Sequence, residues 1–255
     1  MAELSRRRVV VLVAAVLAAA LTARLGLWQI DRGRQKTDLQ DQISARRAMP
    51  ALPQAELARD PVAAEVQHYR RIQLRGRWLA ERTVYLDNRA MNGRAGFIVV
   101  TPLLLNSGSP GDAVLVQRGW SPRHQTDRTQ LAALATSQGE VELSGRIAPP
   151  PSKLYEFDAA GGGLIRQNLD LTHFAREIRV PLRPLSVQQT DPGGADVGTA
   201  AGTATSDGLL RDWPAPALDV AKHHGYAFQW FALCALICGL YAWFELIAPL
   251  RRRSF

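Results

Sequence analysis

The sequence contains very little cysteine. Two of its 255 residues are cysteines, Cys234 and Cys238, and both lie within one apolar run near the C-terminus. A disulfide framework or a zinc site built on paired cysteines is therefore not expected in the rest of the chain. The four-residue spacing places both thiols on one face of a helix. Small residues at a helix contact account for that pattern, and a copper or zinc site is the alternative.

Sequence motifs of the common enzyme classes are also absent. The chain contains no HExxH, GxSxG, Walker or CxxC pattern. These are the frequent signatures of metalloproteases, serine hydrolases, nucleotide-binding enzymes and redox enzymes. His68, His124 and His173 are scattered without the spacing of metal ligands, so we interpret them as surface or structural histidines. We do not expect an enzyme.

Long apolar runs are what the chain does contain. Residues 9–28 carry a single charge, on Arg24, and their number is enough to cross the hydrocarbon core of a bilayer. Residues 226–250 have only Gln229 and Glu245 as strongly polar members, and we expect Glu245 to pair with an arginine such as Arg251. The pattern predicts transmembrane helices at residues 9–28 and 223–248.

The first apolar run also fits a cleaved signal peptide, because Val9 to Leu21 has the right length and Ala18 with Ala20 gives a small-residue cleavage pattern. We favour retention, since the apolar character continues to Trp28, an aromatic residue suited to the outer interface. The basic stripe after Trp28 predicts that the helix continues out of the membrane. A small-residue face on this run is predicted to pack against the second helix: Ala14, Ala15, Ala18 and Ala19.

The distribution of charge predicts the topology. Short basic segments at residues 1–8 and 249–255 flank the two runs, and such segments stay cytoplasmic. Residues 29–222 are therefore expected to form an exported, periplasmic domain. Between Trp28 and Lys222 lie 24 of the 31 basic and 21 of the 23 acidic residues, so this part carries a net charge of only +3. The remaining positive charge suits anionic lipid headgroups, and we expect no nucleic-acid partner.

Alternating apolar and polar residues predict a β-rich domain between the two runs. Seven segments alternate or are continuously apolar, as strands are: residues 71–75, 83–87, 97–105, 114–120, 141–147, 164–168 and 185–189. The apolar spacing predicts short helices at Asp127 to Thr136 and at Leu171 to Ile178, the latter behind a capping Asp170. The proline-containing stretch from Ala48 to Pro61 is expected to be a loop.

The low-complexity stretch from Asp191 to Gly208 is rich in glycine, alanine and threonine. It offers too little apolar surface to order itself, so it predicts a mobile loop. The expected fold class is a membrane protein in which two transmembrane α-helices flank one mainly antiparallel β domain with minor helices, that is, a β-rich α+β fold.

Two adjacent histidines stand where the second helix enters the outer leaflet. His223 and His224 lie close to Tyr226 and Trp230, and an ionisable group at membrane depth indicates a function. A neutral imidazole can ligate haem iron there, with the porphyrin edge against Trp28, Tyr226 and Trp230. The alternative is that the histidines only anchor the helix at the interface.

Four stretches of the sequence resemble the surfeit-locus family of cytochrome c oxidase assembly factors. Residues 25–36 are similar to its LGxWQxxRxxxK signature, and residues 96–102 are similar to its GxxVxTPL element. Residues 114–122 resemble a strand that ends in RGW and a proline, and residues 223–230 resemble the HxxYAxxW entry to the second span. The stretches occur in the family's order and cover both apolar runs.

The resemblance implies that the first span is retained and that the protein resides in the cell inner membrane. It implies a role in the assembly of a haem-copper oxidase, either as a haem A chaperone or by aiding haem A insertion into the large subunit, with haem A synthase as a possible further partner. His223 is the residue that carries over as haem ligand, whereas His224 is not part of the pattern. Asp191 to Gly208 looks like an insertion. The alternative hypothesis is a non-haem scaffold that binds another membrane or envelope protein.

Overall fold

Two units of different character make up the chain in this computed structural model. One unit comprises Met1–Ile43 with Pro216–Phe255, and the other comprises Ser44–Ala215. The structure describes residues 2–106, 111–124, 126, 127, 129–154, 163–191, 195, 196, 207–214 and 220–248.

The helices of the described residues differ greatly in length. Four are α-helical: α1 (Ala2–Ala48), α2 (Pro61–Gln67), α3 (Leu171–Ile178) and α4 (Val220–Tyr241). A π-helical segment, Ala242–Ile247, follows α4, and single 3-10 turns occupy Gln54–Glu56 and Ala80–Arg82.

The strands all belong to the second unit. In chain order they are β1 (Arg71–Trp78), β2 (Val84–Met91), β3 (Arg94–Leu105), β4 (Ala113–Pro122), β5 (Glu140–Ala148), β6 (Ile165–Arg166), β7 (Leu182–Gln189) and β8 (Ala195–Asp196).

The first unit exposes its apolar side chains rather than burying them. Leu17 on α1 is 64% exposed and Phe228 on α4 is 74% exposed. Two helical segments, Arg6–Ala48 and Lys222–Glu245, are long and apolar enough to cross a membrane by length and composition. A continuous apolar surface of this kind suits lipid and is rare on proteins surrounded by water. The predicted pair of apolar helices is confirmed, and α1 continues past Trp28 without a break.

Five strands of the second unit close into a ring. The strand order is β1-β5-β7-β4-β3, and β3 pairs back onto β1. Gly76 allows this closure, because a Cβ atom there would lie 2.2 Å from the carbonyl oxygen of Leu104. The sheet continues from β3 to β2 and β6, and β8 adds to β5. Only the β2–β6 and β4–β7 pairs are parallel among the described strands, so the mainly antiparallel prediction is confirmed.

The core of the second unit lies on the buried faces of these strands. Every second residue of β1 is buried, beginning with Ile72 and Leu74, as the alternation predicted. These side chains pack with Leu103, Leu143 and Leu185. All seven predicted strands are present, although β6 keeps only two of its residues.

Helix α3 covers a second apolar cluster. Its Phe174 and Ile178 pack on Leu86 of β2 and Leu115 of β4. The side chain of Asp170 accepts a hydrogen bond from the backbone N–H of His173 and caps the helix. The predicted helix and its cap are both confirmed.

The helix predicted at Asp127 to Thr136 is wrong. The described residues of that stretch, 127 and 129–136, are not helical. Leu131 and Leu134 instead pack, half-buried, beside Phe97 and Val99 on the sheet. Apolar residues three positions apart fit one face of a helix. An irregular segment that packs on a sheet can show the same spacing, as this one does.

Besides the 3-10 turns, a short helix and a short strand were not predicted. Helix α2 lies beyond the predicted loop, and the chain signals it through Asp60, which caps the helix, and Pro61 in its first turn. Strand β8 lies inside the stretch predicted to be a mobile loop, so the loop prediction is wrong for Ala195–Asp196, which pair with β5. Residues 192–194 and 197–206 lie outside the described residues.

The buried arginine that begins the RGW sequence binds an aspartate that is distant in sequence. The side chain of Arg118 is 4% exposed and lies 4.8 Å over the ring of Trp78. It donates to the Thr136 hydroxyl at 2.7 Å and approaches the Asp207 carboxylate at 3.4 Å. Arg211 approaches the same carboxylate at 2.5 Å. Burial lowers the pKa of Arg118, and the charge of Asp207 opposes that shift.

The next two residues hold the backbone of the same distant segment. Trp120 and Leu210 exchange backbone hydrogen bonds of 2.7 and 2.9 Å. A Cβ atom at Gly119 would lie 2.6 Å from the Leu209 side chain, so only glycine fits there. The indole of Trp120 donates to the Arg89 carbonyl at 2.8 Å. The RGW stretch therefore fixes residues 207–211 against β4.

Replacing the shared carboxylate should destabilise the second unit. Asp207→Ala leaves Arg118 buried without its ion pair, which typically costs about 3–5 kcal/mol of unfolding free energy. Chemical denaturation of the detergent-purified chain measures the change. Asp212→Ala, at an exposed position nearby, is the control and should change the unfolding free energy by less than about 0.5 kcal/mol. Equal effects of the two substitutions would refute the role assigned to Asp207.

Candidate functional site

The two long helices of the first unit pack antiparallel. Their contacts run in opposite directions along the two chains: Arg8 with Glu245 at 3.8 Å, the Ala19 carbonyl with the Cys234 thiol at 3.4 Å, and Gln29 with His223 at 2.7 Å. The start of α1 and the end of the π-helical segment therefore lie on the same side of this unit.

Glu245 pairs with an arginine, but from the other end of the chain than expected. Its described partner is Arg8, whereas Arg251 lies outside the described residues. The Arg8 side chain is 64% exposed, so the pair adds little stability in water. The ion pair is informative because it shows that the start of α1 lies next to the end of the segment that follows α4.

The helices approach each other closely at a glycine. Gly26 is buried, and a Cβ atom there would lie 2.8 Å from two ring carbons of Phe231. One turn earlier, Thr22 is buried and its hydroxyl donates to the carbonyls of Ala18 and Ala19. This back-bonding satisfies a polar group that lipid could not solvate.

The predicted small-residue contact is confirmed in part. Ala15, Ala18 and Ala19 are half-buried, but Ala14 is exposed. On α4, the thiol of Cys234 meets α1, whereas Cys238 is exposed. The contact follows a narrower stripe than the sequence suggested, and it extends through Thr22 and Gly26. No group of three or more metal-ligating side chains lies within the described residues.

His223 meets α1 through its ring. Its Nδ1 lies 2.7 Å from the side-chain oxygen of Gln29, and the histidine is half-buried. With that oxygen as acceptor, Nδ1 carries the proton and Nε2 carries the lone pair. A ligating histidine is commonly fixed in this way by a hydrogen bond at its other nitrogen. The arrangement therefore leaves Nε2, with its lone pair, as the ring atom that could ligate a metal.

His224 lies over a second glycine of α1. A Cβ atom at Gly33 would lie 3.8 Å from Cε1 and Nε2 of His224, and 3.7 Å from Cβ of His223. Gly33 is buried, whereas His224 is exposed. The structure thus brings both predicted histidines to α1, and Gln29 distinguishes His223 from its neighbour.

Of the three predicted aromatic residues, Trp28 alone lines a cleft of the first unit among the described residues. Trp28 and Tyr226 are 53% and 51% exposed, and Trp230 is half-buried. Trp28 borders an open cleft of about 550 Å³. The described lining residues of this cleft all belong to α1: Leu21, Arg24, Leu25, Leu27, Trp28 and Asp31. Neither Tyr226 nor Trp230 lines it, so a single aromatic wall around a porphyrin stays a prediction.

The depth of the histidine follows from helix geometry. At 1.5 Å per residue, the apolar run that ends at Trp28 spans about 30 Å, the thickness of the hydrocarbon core. Gln29 is the next residue, so its hydrogen bond with His223 lies at the expected membrane boundary. Sequence reasoning identified His223 but missed Gln29 and Gly26 as its supports. Both lie in the quoted stretch 25–36, where an amide and a glycine interrupt apolar residues.

A larger side chain at position 26 should force the helices apart. Gly26→Leu would overlap the Phe231 ring and cost about 1–3 kcal/mol of helix-pair stability. The control is Gly239→Leu on α4, where a Cβ atom would meet nothing within 4 Å. Unfolding in increasing dodecyl sulfate, followed by circular dichroism, compares the two. Equal midpoints for both variants would contradict the close approach at Gly26.

Comparison with known proteins places the chain in a family. The family model described as SURF1 family matches residues 16–235, which include all four quoted stretches. The SURF1-like protein of Rickettsia felis is 28% identical over 151 residues, covering 58% of this chain and 60% of that protein. The SURF1-like protein of Drosophila melanogaster is 31% identical over 152 residues, covering 52% of this chain and 47% of that protein.

One relative, from yeast, is named for a role in cytochrome oxidase assembly. Cytochrome oxidase assembly protein SHY1 of Saccharomyces cerevisiae is 28% identical over 131 residues, covering 51% of this chain and 33% of that protein. The chain thus spans about half the length, or less, of the first curated relatives it matches. The family match extends over most of the chain and confirms the resemblance found in the sequence: the protein belongs to the SURF1 family.

Proposed function

We propose that this protein is an assembly factor for a haem-copper, or cytochrome c, oxidase. The family match supports this proposal, as does the name of the yeast relative, a cytochrome oxidase assembly protein. We propose no catalytic step, because the described residues suggest binding and positioning rather than turnover. The partner is then the large subunit of the oxidase, with haem A synthase as the source of the haem.

The proposed location is the cell inner membrane, with both ends of the chain in the cytoplasm and Ser44–Ala215 in the periplasm. The antiparallel packing of α1 and α4 supports a common side for the two ends. Arg6, Arg7 and Arg8 precede the first apolar run, and basic flanks of this kind stay on the cytoplasmic side.

The proposed cargo is haem A, held through His223. The observation that carries this proposal is the hydrogen bond between His223 Nδ1 and Gln29, which leaves Nε2 as a potential iron ligand. Trp28 and Tyr226 offer exposed aromatic surface at the same level of the helices for a flat apolar ring system. Haem iron, when bound, would accept a nitrogen ligand, and the role of this chain would be to hold the haem through His223.

The non-haem scaffold is the second candidate, and the same hydrogen bond favours it. An imidazole that joins α1 to α4 has a structural role without any ligand. In that case the exported unit would bind another membrane or envelope protein. The two proposals predict different haem absorbance when His223 and Gln29 are replaced one at a time.

Absorbance of the purified protein should separate the proposals. After co-expression with haem A synthesis, the chain in detergent should show a Soret band. His223→Ala should abolish the band, and Gln29→Leu should weaken it because the imidazole loses its orientation. His224→Ala should retain most of it, and His124→Ala, on the other unit, is the control. A wild-type protein without Soret absorbance would leave only the scaffold proposal.

Deleting the protein should lower oxidase activity without lowering haem A synthesis. The expected reason is that the large subunit is made but receives its haem inefficiently. Oxidase activity and extracted haem A in membranes measure the two quantities in one sample. Normal oxidase content in the deletion strain would contradict a role in assembly altogether.

A further inference from the structure

Two arginines stand directly opposite each other on neighbouring strands of the second unit. Arg71 of β1 and Arg146 of β5 are register partners in an antiparallel pair. Side chains at such positions lie on one face, with Cβ atoms about 5 Å apart. Like charges directly opposite each other destabilise a sheet. The pair therefore needs a compensating charge.

The same two strands show the usual solution a few residues away. Arg75 of β1 is the register partner of Glu142, and their side chains form an ion pair of 2.9 Å. Within the part of the chain that the structure describes, neither Arg71 nor Arg146 has an ion pair with a carboxylate. Acidic residues thus neutralise one end of this strand pair and are missing at the other.

A third arginine, from the end of α1, joins this pair. Arg47, Arg71 and Arg146 line one cavity, and Arg47 is half-buried. Its Nε and Nη2 atoms are shielded from solvent, and no described residue forms a hydrogen bond with them. Buried donors without a partner cost free energy, and more so when they are charged. The Arg47 guanidinium is therefore placed for an acceptor that the described chain does not supply.

The contacts that these arginines do make are with neutral groups. Arg146 donates to the side-chain oxygen of Gln188 at 2.6 Å, and Arg71 approaches the Met49 carbonyl at 3.3 Å. Such bonds orient the guanidinium groups without cancelling their charge. Burial lowers the pKa of Arg146, and the nearby charge of Arg47 lowers it further.

The arginines line a cavity of about 460 Å³ in this face of the unit. That volume lies within the range of small-molecule sites. We name it the arginine pocket and define it by six lining residues: Arg47, Tyr69, Arg71, Gln73, Ser144 and Arg146. The carboxyl group of Asp191 lies close to Ser144 but already accepts from the Ser144 N–H and the Gln189 amide.

Tyr69 brings its ring to this pocket from a strained backbone. Its φ of 72° lies in the left-handed region, which is uncommon for a bulky residue. The backbone N–H of Tyr69 donates to Ile147 at 2.8 Å and holds that conformation. Strain of this kind collects at binding sites, and it places a tyrosine beside two guanidinium groups.

We propose that the arginine pocket binds a small molecule with at least two anionic groups, either phosphates or carboxylates. Three guanidinium groups offer paired donors that match both kinds of anion. Gln73 and Ser144 add neutral polar groups to the lining of the pocket. The site lies in Ser44–Ala215 and does not depend on the haem proposal.

Calorimetric titration of the full-length chain in detergent tests the site. Pyrophosphate is the phosphate probe and citrate is the carboxylate probe, both at constant ionic strength set with sodium chloride. At least one should bind, and Arg146→Gln should weaken its binding at least about tenfold, as expected for loss of a charged hydrogen bond. Arg77→Gln is the control, because Arg77 lies exposed on the same strand outside the pocket. Tighter binding of one probe identifies the anion class.

Stability without any probe gives an independent readout. Removing one member of a like-charged pair should leave the melting temperature unchanged or raise it. Both Arg146→Gln and the more exposed Arg71→Gln are measured without a probe, and a lower melting temperature in both variants would contradict the repulsion between the two arginines. The proposal is overturned if neither probe binds above the chloride background, or if Arg77→Gln weakens binding as much as the pocket variants do.

Discussion

Close packing between two apolar helices is the constraint on which this structure depends. Lipid tails are as apolar as the side chains of α1 and α4, so burial from water does not hold the pair together. Close contact must do so, and Gly26 provides it by leaving room for the ring of Phe231. The same register brings Gln29 to His223 one turn away. A site at the membrane boundary therefore depends on a glycine inside the membrane.

In the second unit, arginine side chains differ in whether a carboxylate neutralises their charge. There, Arg118 is buried but shares the carboxylate of Asp207 with Arg211, and this ion cluster fixes residues 207–211 to β4. The arginine pocket has the opposite character, because its positive charges face one another without a described carboxylate. Arginine thus has two roles in this unit. One kind holds the fold together, and the other calls for a ligand.

The sequence predicts most of the fold because strand faces and membrane spans are local patterns. The alternation in Arg71 to Arg75 assigned the buried face of β1 correctly. The helix predicted from Leu131 and Leu134 was wrong, because their three-residue spacing fits a helix and an irregular segment packed on a sheet equally well. The partner of His223 could not be predicted from periodicity, since Gln29 lies 194 residues away. The facing arginines of β1 and β5 were missed for the same reason: strand register is a tertiary property.

Oxidative cross-linking tests the antiparallel helix pair most directly. Cys234 lies against Ala19, so Ala19→Cys combined with Cys238→Ser creates two thiols that should meet within one chain. A membrane-permeable oxidant should consume both thiols, whereas Val16→Cys, whose position is 56% exposed, should leave them free. Thiol counting by mass spectrometry decides the outcome. The packing on which the candidate site rests would be contradicted by either of two results: both cysteine pairs react equally, or the pair with Ala19→Cys does not react.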